Sequence, residues 1–406
     1  MTSTTCRRIA MTSTFALVLG LGVAAPTVGA PERGQGRADL DVRFATFNAS
    51  LNRSDEGDLT RDLSTGDNLQ AQNVAETIQR TRPDVVLINE FDYEAGNEDL
   101  FRDNYLAVSQ KGADPIDYPY AYIAPSNTGV ASGFDLNNDG TVGGPDDAFG
   151  FGFFPGQYGM VVYSRYPIAA DEVRTFQLFR WSDMPGNLLP EEFYSEEEQK
   201  VLRLSSKSHW DVPVEVGNKT VHVLAAHPTP PTFDGPEDRN GRRNHDEIRF
   251  WADYVGSPKQ SAYIYDDEGT RGGLKPGERF VIAGDYNADP FDGDSVDGAI
   301  DQLLNHRRVN TKVTPASEGG AEQALLQGGI NLEHLGDPAF DTADFSEPPG
   351  NLRVDYVLPS TSLKIDDAGV FWPVSDDPLF RLVGTFPFPT SDHRLVWVDV
   401  RLPHRP

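Results

Sequence analysis

The chain has 406 residues, a single cysteine and a formal net charge of −27. That length holds one large domain or two ordinary ones. The charge argues against tight, nonspecific binding to nucleic acid or other polyanions, while allowing a small phosphorylated substrate or a site whose field divalent cations invert.

Residues 1–30 read as an export signal. Arg7 and Arg8 form a charged start, Phe15 to Ala25 is an apolar run, and Val28-Gly29-Ala30 resembles a small-residue cleavage site. The apolar run is too short for a membrane anchor and no stop-transfer pattern follows, so no membrane span and a secreted product are expected. The flanks of Arg7-Arg8 match a twin-arginine signal poorly. Cys6 lies inside this segment, so the mature chain would carry no thiol and must be held by its core or by bound metal. Residues 31–40 read as a polar linker. A monomer is expected.

Along the chain, Asp41 to Asn48 alternates as a strand does. Asn68 to Arg80 has helical spacing through Leu69, Val74 and Ile78, with Pro83 as a stop. Asp84 to Glu90 is an apolar run of the kind buried on both faces of a sheet. Gly159 to Ser164, Thr220 to Ala226, Phe280 to Ala283, Val354 to Leu358 and Leu395 to Val400 repeat that pattern, and Asn244 to Val255 reads as a second helix. Many buried strands and few helices predict an α/β sandwich, two sheets face to face with helices outside. Gly112 to Gly156 and Arg180 to Glu198 are rich in Gly, Pro and acids, and read as loops over one end. Nothing marks a second domain, so one domain is expected over 41–402.

The strand ends carry the chemistry. The first strand ends at Asn48 and the next at Glu90; later ones end at His227 and at Asp285-Tyr-Asn287. Asp355 opens Asp-Tyr-Val-Leu, and Ser391-Asp392-His393 precedes the last strand. Carboxylate and amide oxygens suit hard cations such as Mg²⁺, and imidazoles beside them suit phosphoryl chemistry. Each signal alone is weak: Asp-x-Asn is usually a turn, and a strand-end histidine usually bonds its own loop.

Taken in this order, the residues resemble the endonuclease/exonuclease/phosphatase superfamily, from about Asp41 to Arg401. The group includes pancreatic deoxyribonuclease, apurinic endonucleases, sphingomyelinases and inositol-polyphosphate phosphatases. The resemblance implies a four-layer α/β sandwich with two mixed sheets, and divalent-metal-dependent hydrolysis of phosphate esters. It implies Glu90 as leading metal ligand, helped by Asn48 and Asp392, with Mg²⁺ or Mn²⁺ as cofactor. Asp285 and Asn287 would position water and phosphate. His393 would be a base or a phosphate-polarising group held by Asp355, and His227 a candidate general acid. One departure stands out. The deoxyribonuclease-like branch supports the second histidine with a carboxylate, and the nearest position here is Gln157. Arg203 and Lys207 are the best phosphate clamps, against a solvated strand face, and Arg243 is a weaker candidate that would only pack.

A separate signal lies at about 133–147. Asp135, Asn137 and Asp139 stand at positions 1, 3 and 5 of a calcium-type loop, Gly140 at the turn, Thr141 at 7 and Asp146 at 12. Ca²⁺ is expected there, pinning an insertion, against a solvated Asx-turn loop. The function expected is a secreted phosphoesterase acting on a phosphorylated small molecule or nucleic acid, with no stable nucleic-acid complex. An extracellular nonspecific nuclease is the alternative, and a catalytically silent binding module is the rival of another class. A membrane-acting phospholipase finds no amphipathic helix to support it. The aromatics of Phe149 to Phe154 would wall a pocket or only pack their loop.

Overall fold

The computed structural model of the chain describes residues 40–402. The export segment and all of the linker but Leu40 fall outside them; Leu40 itself opens the first strand. The strands in chain order are β1 (Leu40–Leu51), β2 (Val85–Phe91), β3 (Tyr120–Ile123), β4 (Met160–Ser164), β5 (Arg174–Thr175), β6 (His209–Val216), β7 (Lys219–Ala226), β8 (Arg279–Asp285), β9 (Asp355–Pro359), β10 (Lys364–Val370) and β11 (Val396–Leu402). They form a six-stranded sheet, β10-β11-β1-β2-β4-β3, and a five-stranded sheet, β5-β6-β7-β8-β9. Both are mixed, because β1 runs parallel to β2 and β7 parallel to β8 while their other neighbours are antiparallel.

Three apolar layers explain the continuous hydrophobic runs. Between the sheets, Val42, Phe44, Leu87 and Val162 meet Trp210, Val212, Val223 and Val281. The alternate residues of the first sheet, Phe47, Val86, Ile88 and Val161, pack with Val74 and Ile78 of the helix Leu69–Thr81. Those of the second, Leu224, Phe280 and Ile282, pack with Ile248 and Trp251 of the helix Arg239–Tyr254. Strands buried on both faces need no polar alternation. The result is the expected four-layer α/β sandwich.

Local chemistry sets the helix limits. The Asn68 side chain caps the first helix by accepting from Ala71 N at 3.0 Å, and Arg82 ends it in the left-handed region. The second helix begins at Arg239, earlier than expected, because its polar first turns carry no apolar period. β6 and β10 escape the pattern for different reasons. β6 contains Pro213, whose carbonyl accepts from Ala169 N at 3.0 Å beyond the short β5. β10 is an edge strand with a register shift between Ile365 and Asp367, and exposed acids there protect the edge. β3 lies inside the segment read as loop. No helix among the described residues is long and apolar enough to cross a membrane.

His209, at the start of β6, is buried against Phe250 and Trp251, with Nε2 3.0 Å from Glu247 O. Burial holds its pKa down at about 4. An unfolded chain binds that proton near the ordinary value of about 6.5, so the contribution is whole above that pH and is lost as pH falls toward 4. We predict a falling melting temperature across this window. His209→Gln, which keeps a donor but cannot titrate, should fall less; an identical slope would contradict the assignment.

Candidate active site

The topology brings the polar strand ends together. In each parallel pair both strands finish at the same edge, and the antiparallel neighbours β9 and β11 begin there. Asp285 and Asp355 are direct register partners across β8 and β9. Asn48 then joins the two sheets: its Nδ2 donates to Glu90 Oε1 at 3.1 Å and to Asp285 Oδ2 at 3.0 Å. Its Oδ1 accepts from Ser50 N at 3.2 Å. Asn48 thus turns its amide nitrogen, rather than a ligand oxygen, toward the carboxylates. Glu90 and Asn287 hold left-handed backbones, φ 58° and 50°, which few non-glycine residues adopt. Such strain at strand ends is characteristic of residues aimed for a task.

The histidines converge on Asp285 Oδ2, His227 Nε2 at 3.3 Å and His393 Nε2 at 3.7 Å. His393 Nδ1 lies 2.8 Å from Asp355 Oδ2, which also accepts from Thr342 Oγ1 at 2.8 Å. The Phe345 ring stands edge-on to His393 at 5.3 Å. Asp285, Asp355 and His393, all buried, offer atoms within 4.8 Å of one another. Asn287 N donates to Asp285 Oδ1 at 2.9 Å, while its side chain donates to Pro228 O at 3.2 Å. Asp392 is half-buried beside Ser50 Oγ at 3.5 Å.

Burial alone would raise Asp285, but His393, His227 and Asn48 outweigh it and hold the carboxylate well below the ordinary range. Burial, then Asp392 and Asp285, pushes Glu90 up against His393 and Asn48. Burial works against a charged His393, yet Asp355 and Asp285 hold its proton well past the ordinary range. His227 is the opposite case: burial first, then Lys207, keeps it neutral with a pKa of about 4. Its Nδ1 is buried without a hydrogen-bond partner among the described residues.

The other expected residues divide. Lys207 is buried, with no ion pair or hydrogen bond on its ammonium among the described residues. Burial lowers its pKa, and Glu247, Glu90 and Asp285 are the carboxylates that draw it back. Arg203 is engaged elsewhere: its guanidinium bonds Asn127 Oδ1 and lies 4.1 Å over Phe149. The half-buried Arg243 donates to the carbonyls of Phe149, Arg203 and Leu204. Gln157 does not face His227. It donates to Arg53 O at 2.6 Å and accepts from Phe153 N at 2.8 Å, fixing a loop. On that loop Phe149 and Phe154 pack inward, while Phe151 and Phe153 stay 48% and 65% exposed, edge to face at 5.6 Å. Asn52 and Thr342 went unnoticed in the sequence. Asn52 Nδ2 donates to Glu90 Oε2 at 2.7 Å, and its position four residues past Asn48 was a usable signal. Thr342 sits on a loop with no motif around it.

In the 135–146 loop the carboxylates are satisfied by the loop itself. Asp135 accepts from Asp139 N at 3.0 Å and Gly140 N at 2.9 Å, and Asp139 accepts from Thr141 N at 2.8 Å. Asn137 Oδ1 accepts from Asp139 N at 3.0 Å. Asp146 is exposed, and the neighbouring Asp147 turns inward instead, accepting from Leu136 N at 2.6 Å and Gly143 N at 2.7 Å. The acid expected to close the cage is therefore not drawn to Asp135 and Asp139.

Hard cations fit the strand-end cluster on charge and donor type. Glu90, Asp285, Asp355 and Asp392 press together, and Asp355 Oδ1 is buried with no hydrogen-bond partner among the described residues. Comparison with known proteins shows the family. Residues 45–393 match the Endonuclease/Exonuclease/phosphatase family. No curated protein matches the chain. Among solved structures, it is similar to an endonuclease/exonuclease/phosphatase from Beutenbergia cavernae DSM 12333, with 17% identity, 89% of this chain and 72% of that one covered, and a TM-score of 0.49. A mutant beta toxin from Staphylococcus aureus with bound magnesium ions is 16% identical, with 88% and 99% covered and a TM-score of 0.45. Sphingomyelinase C from Streptomyces griseocarneus is 13% identical, with 89% and 99% covered and a TM-score of 0.42. The chain belongs to the endonuclease/exonuclease/phosphatase family, whose members are hydrolases acting on phosphate ester bonds.

Proposed function

We propose that this chain is a secreted, divalent-metal-dependent phosphoesterase that hydrolyses small phosphorylated substrates. The observation that carries the reading is the cluster that joins the half-buried Glu90 to the buried Asp285 and Asp355–His393 pair across both sheets. A Mg²⁺ or Mn²⁺ ion held by Glu90 and Asp392, beside Asn48, would neutralise phosphoryl charge and lower the cost of activating water. The protein's own groups do the rest. His393, kept protonated, donates to a phosphoryl oxygen, and Asp355 fixes its ring. Asp285, kept ionised, orients the attacking water. Lys207 offers an unspent positive charge to the phosphate. His227 is neutral until a phosphate dianion arrives beside it; general-acid work by His227 belongs to that bound state.

The net charge of −27 favours a small ester over a long nucleic-acid duplex. Secretion rests on the first 30 residues and is part of the same proposal. The decisive assay offers plasmid DNA, bis-p-nitrophenyl phosphate, p-nitrophenyl phosphate and sphingomyelin with Mg²⁺, Mn²⁺ or Ca²⁺. Turnover of the small esters is expected, with Glu90→Ala reducing it roughly 10²–10³-fold or more. Plasmid cleavage by the wild type alone would make it a nuclease. Activity that survives Glu90→Ala would remove the site, and silence across the panel with metal bound would favour a binding module.

Calcium on the 135–146 loop is a second, separate reading. It rests on the spacing and on Gly140, whose φ of 90° supplies the sharp turn at position 6. Asp146 would have to turn inward to complete it. EDTA should lower the melting temperature and calcium alone restore it, with Asp135→Ala abolishing the response. An unchanged response in that variant would reduce the loop to its own Asx bonds.

A further inference from the structure

The helix Arg239–Tyr254 belongs to an outer layer, yet two of its side chains reach the strand ends. Asn244 and Glu247 are three residues apart, so they share one face, and both are fully buried at 0% exposure. Glu247 Oε1 accepts from Ser206 N at 2.7 Å, and Oε2 accepts from Thr229 N at 2.6 Å. Asn244 Nδ2 donates to Thr229 O and to Tyr286 O, each at 2.8 Å. These backbone groups adjoin the site in sequence. Ser206 precedes Lys207, Thr229 follows His227 by two residues, and Tyr286 separates Asp285 from Asn287.

The bonded groups all lie past the ladders. β6 begins at His209, β7 ends at Ala226 and β8 ends at Asp285. Beyond those points strand pairing no longer sets the distance between the three segments; the helix side chains hold all three, beside the one bond from Asn287 Nδ2 to Pro228 O at 3.2 Å. A buried carboxylate accepting two backbone N–H groups makes strong, charge-assisted bonds, and losing one leaves a buried donor without a partner.

We propose that Asn244 and Glu247 are positioning residues, a buried polar brace that sets the spacing of the segments bearing Lys207, His227 and Asp285–Asn287. Glu247 also faces Lys207 from the helix side and is the leading carboxylate drawing on its charge. The brace rests on the proposed function, because the segments matter only if they act on one substrate.

The test is Glu247→Gln, assayed on the ester of the panel that the wild type turns over fastest, together with hydrogen exchange of the full chain. The variant keeps the shape but replaces one acceptor oxygen with a donor. Small displacements of catalytic groups are costly, so kcat should fall about 10- to 100-fold with KM within about threefold. The Ser206 and Thr229 amides should exchange faster. Glu76→Gln is the control: Glu76 is equally buried at 0%, paired with Arg80 and Arg381 on the helix Leu69–Thr81. It should lower the melting temperature and leave kcat alone. Wild-type kcat in Glu247→Gln, or equal losses in both variants at matched folded fraction, would overturn the brace. If Glu247→Gln does not fold, Asn244→Ala is read by the same criteria. Glu90→Ala, run in parallel, separates the failures: full activity there refutes the site, while its loss beside an unaffected Glu247→Gln refutes the brace alone.

Discussion

Buried negative charge at one edge of two packed sheets is the constraint on which the rest of this molecule depends. Asp285 and Asp355 sit where water is scarce, with the half-buried Glu90 beside them, and burying a carboxylate is expensive unless it is paired and hydrogen-bonded. The structure meets that cost with Asn48, Asn52, Thr342 and two imidazoles. The compensation is incomplete, since Asp355 Oδ1 and His227 Nδ1 have no hydrogen-bond partner among the described residues.

The architecture explains why the residues meet. Only the parallel pairs β1–β2 and β7–β8 let two successive strands finish at one edge. Their crossover helices are therefore obligatory, and each also forms an outer layer. The second helix has an additional duty, because its Asn244 and Glu247 bond the segments that leave the sheet. Sheets, helices and site are one construction.

Much of this was legible in the sequence, for physical reasons. Strands buried on both faces read as largely apolar runs, so their polar ends stand out: Asn89-Glu90, His227 and Asp285. Local caps such as Asn68 also announce themselves. What stayed hidden depends on partners distant in sequence. Nothing local distinguishes Arg203, which is spent on Asn127 and Phe149, from Lys207, whose ammonium has no partner among the described residues. Thr342 supports Asp355 from an unremarkable loop. β10 looks polar because it is an edge, and Asp147 displaces Asp146 in the insertion through backbone geometry that spacing does not encode.

The most direct test of the central claim is to soak crystals of the protein in Mn²⁺ and map the anomalous signal. The account predicts a peak bonded to the Glu90 carboxylate, at the edge where Asp285 and His393 converge. A saturating soak that leaves no peak within reach of Glu90 or Asp285 would contradict it.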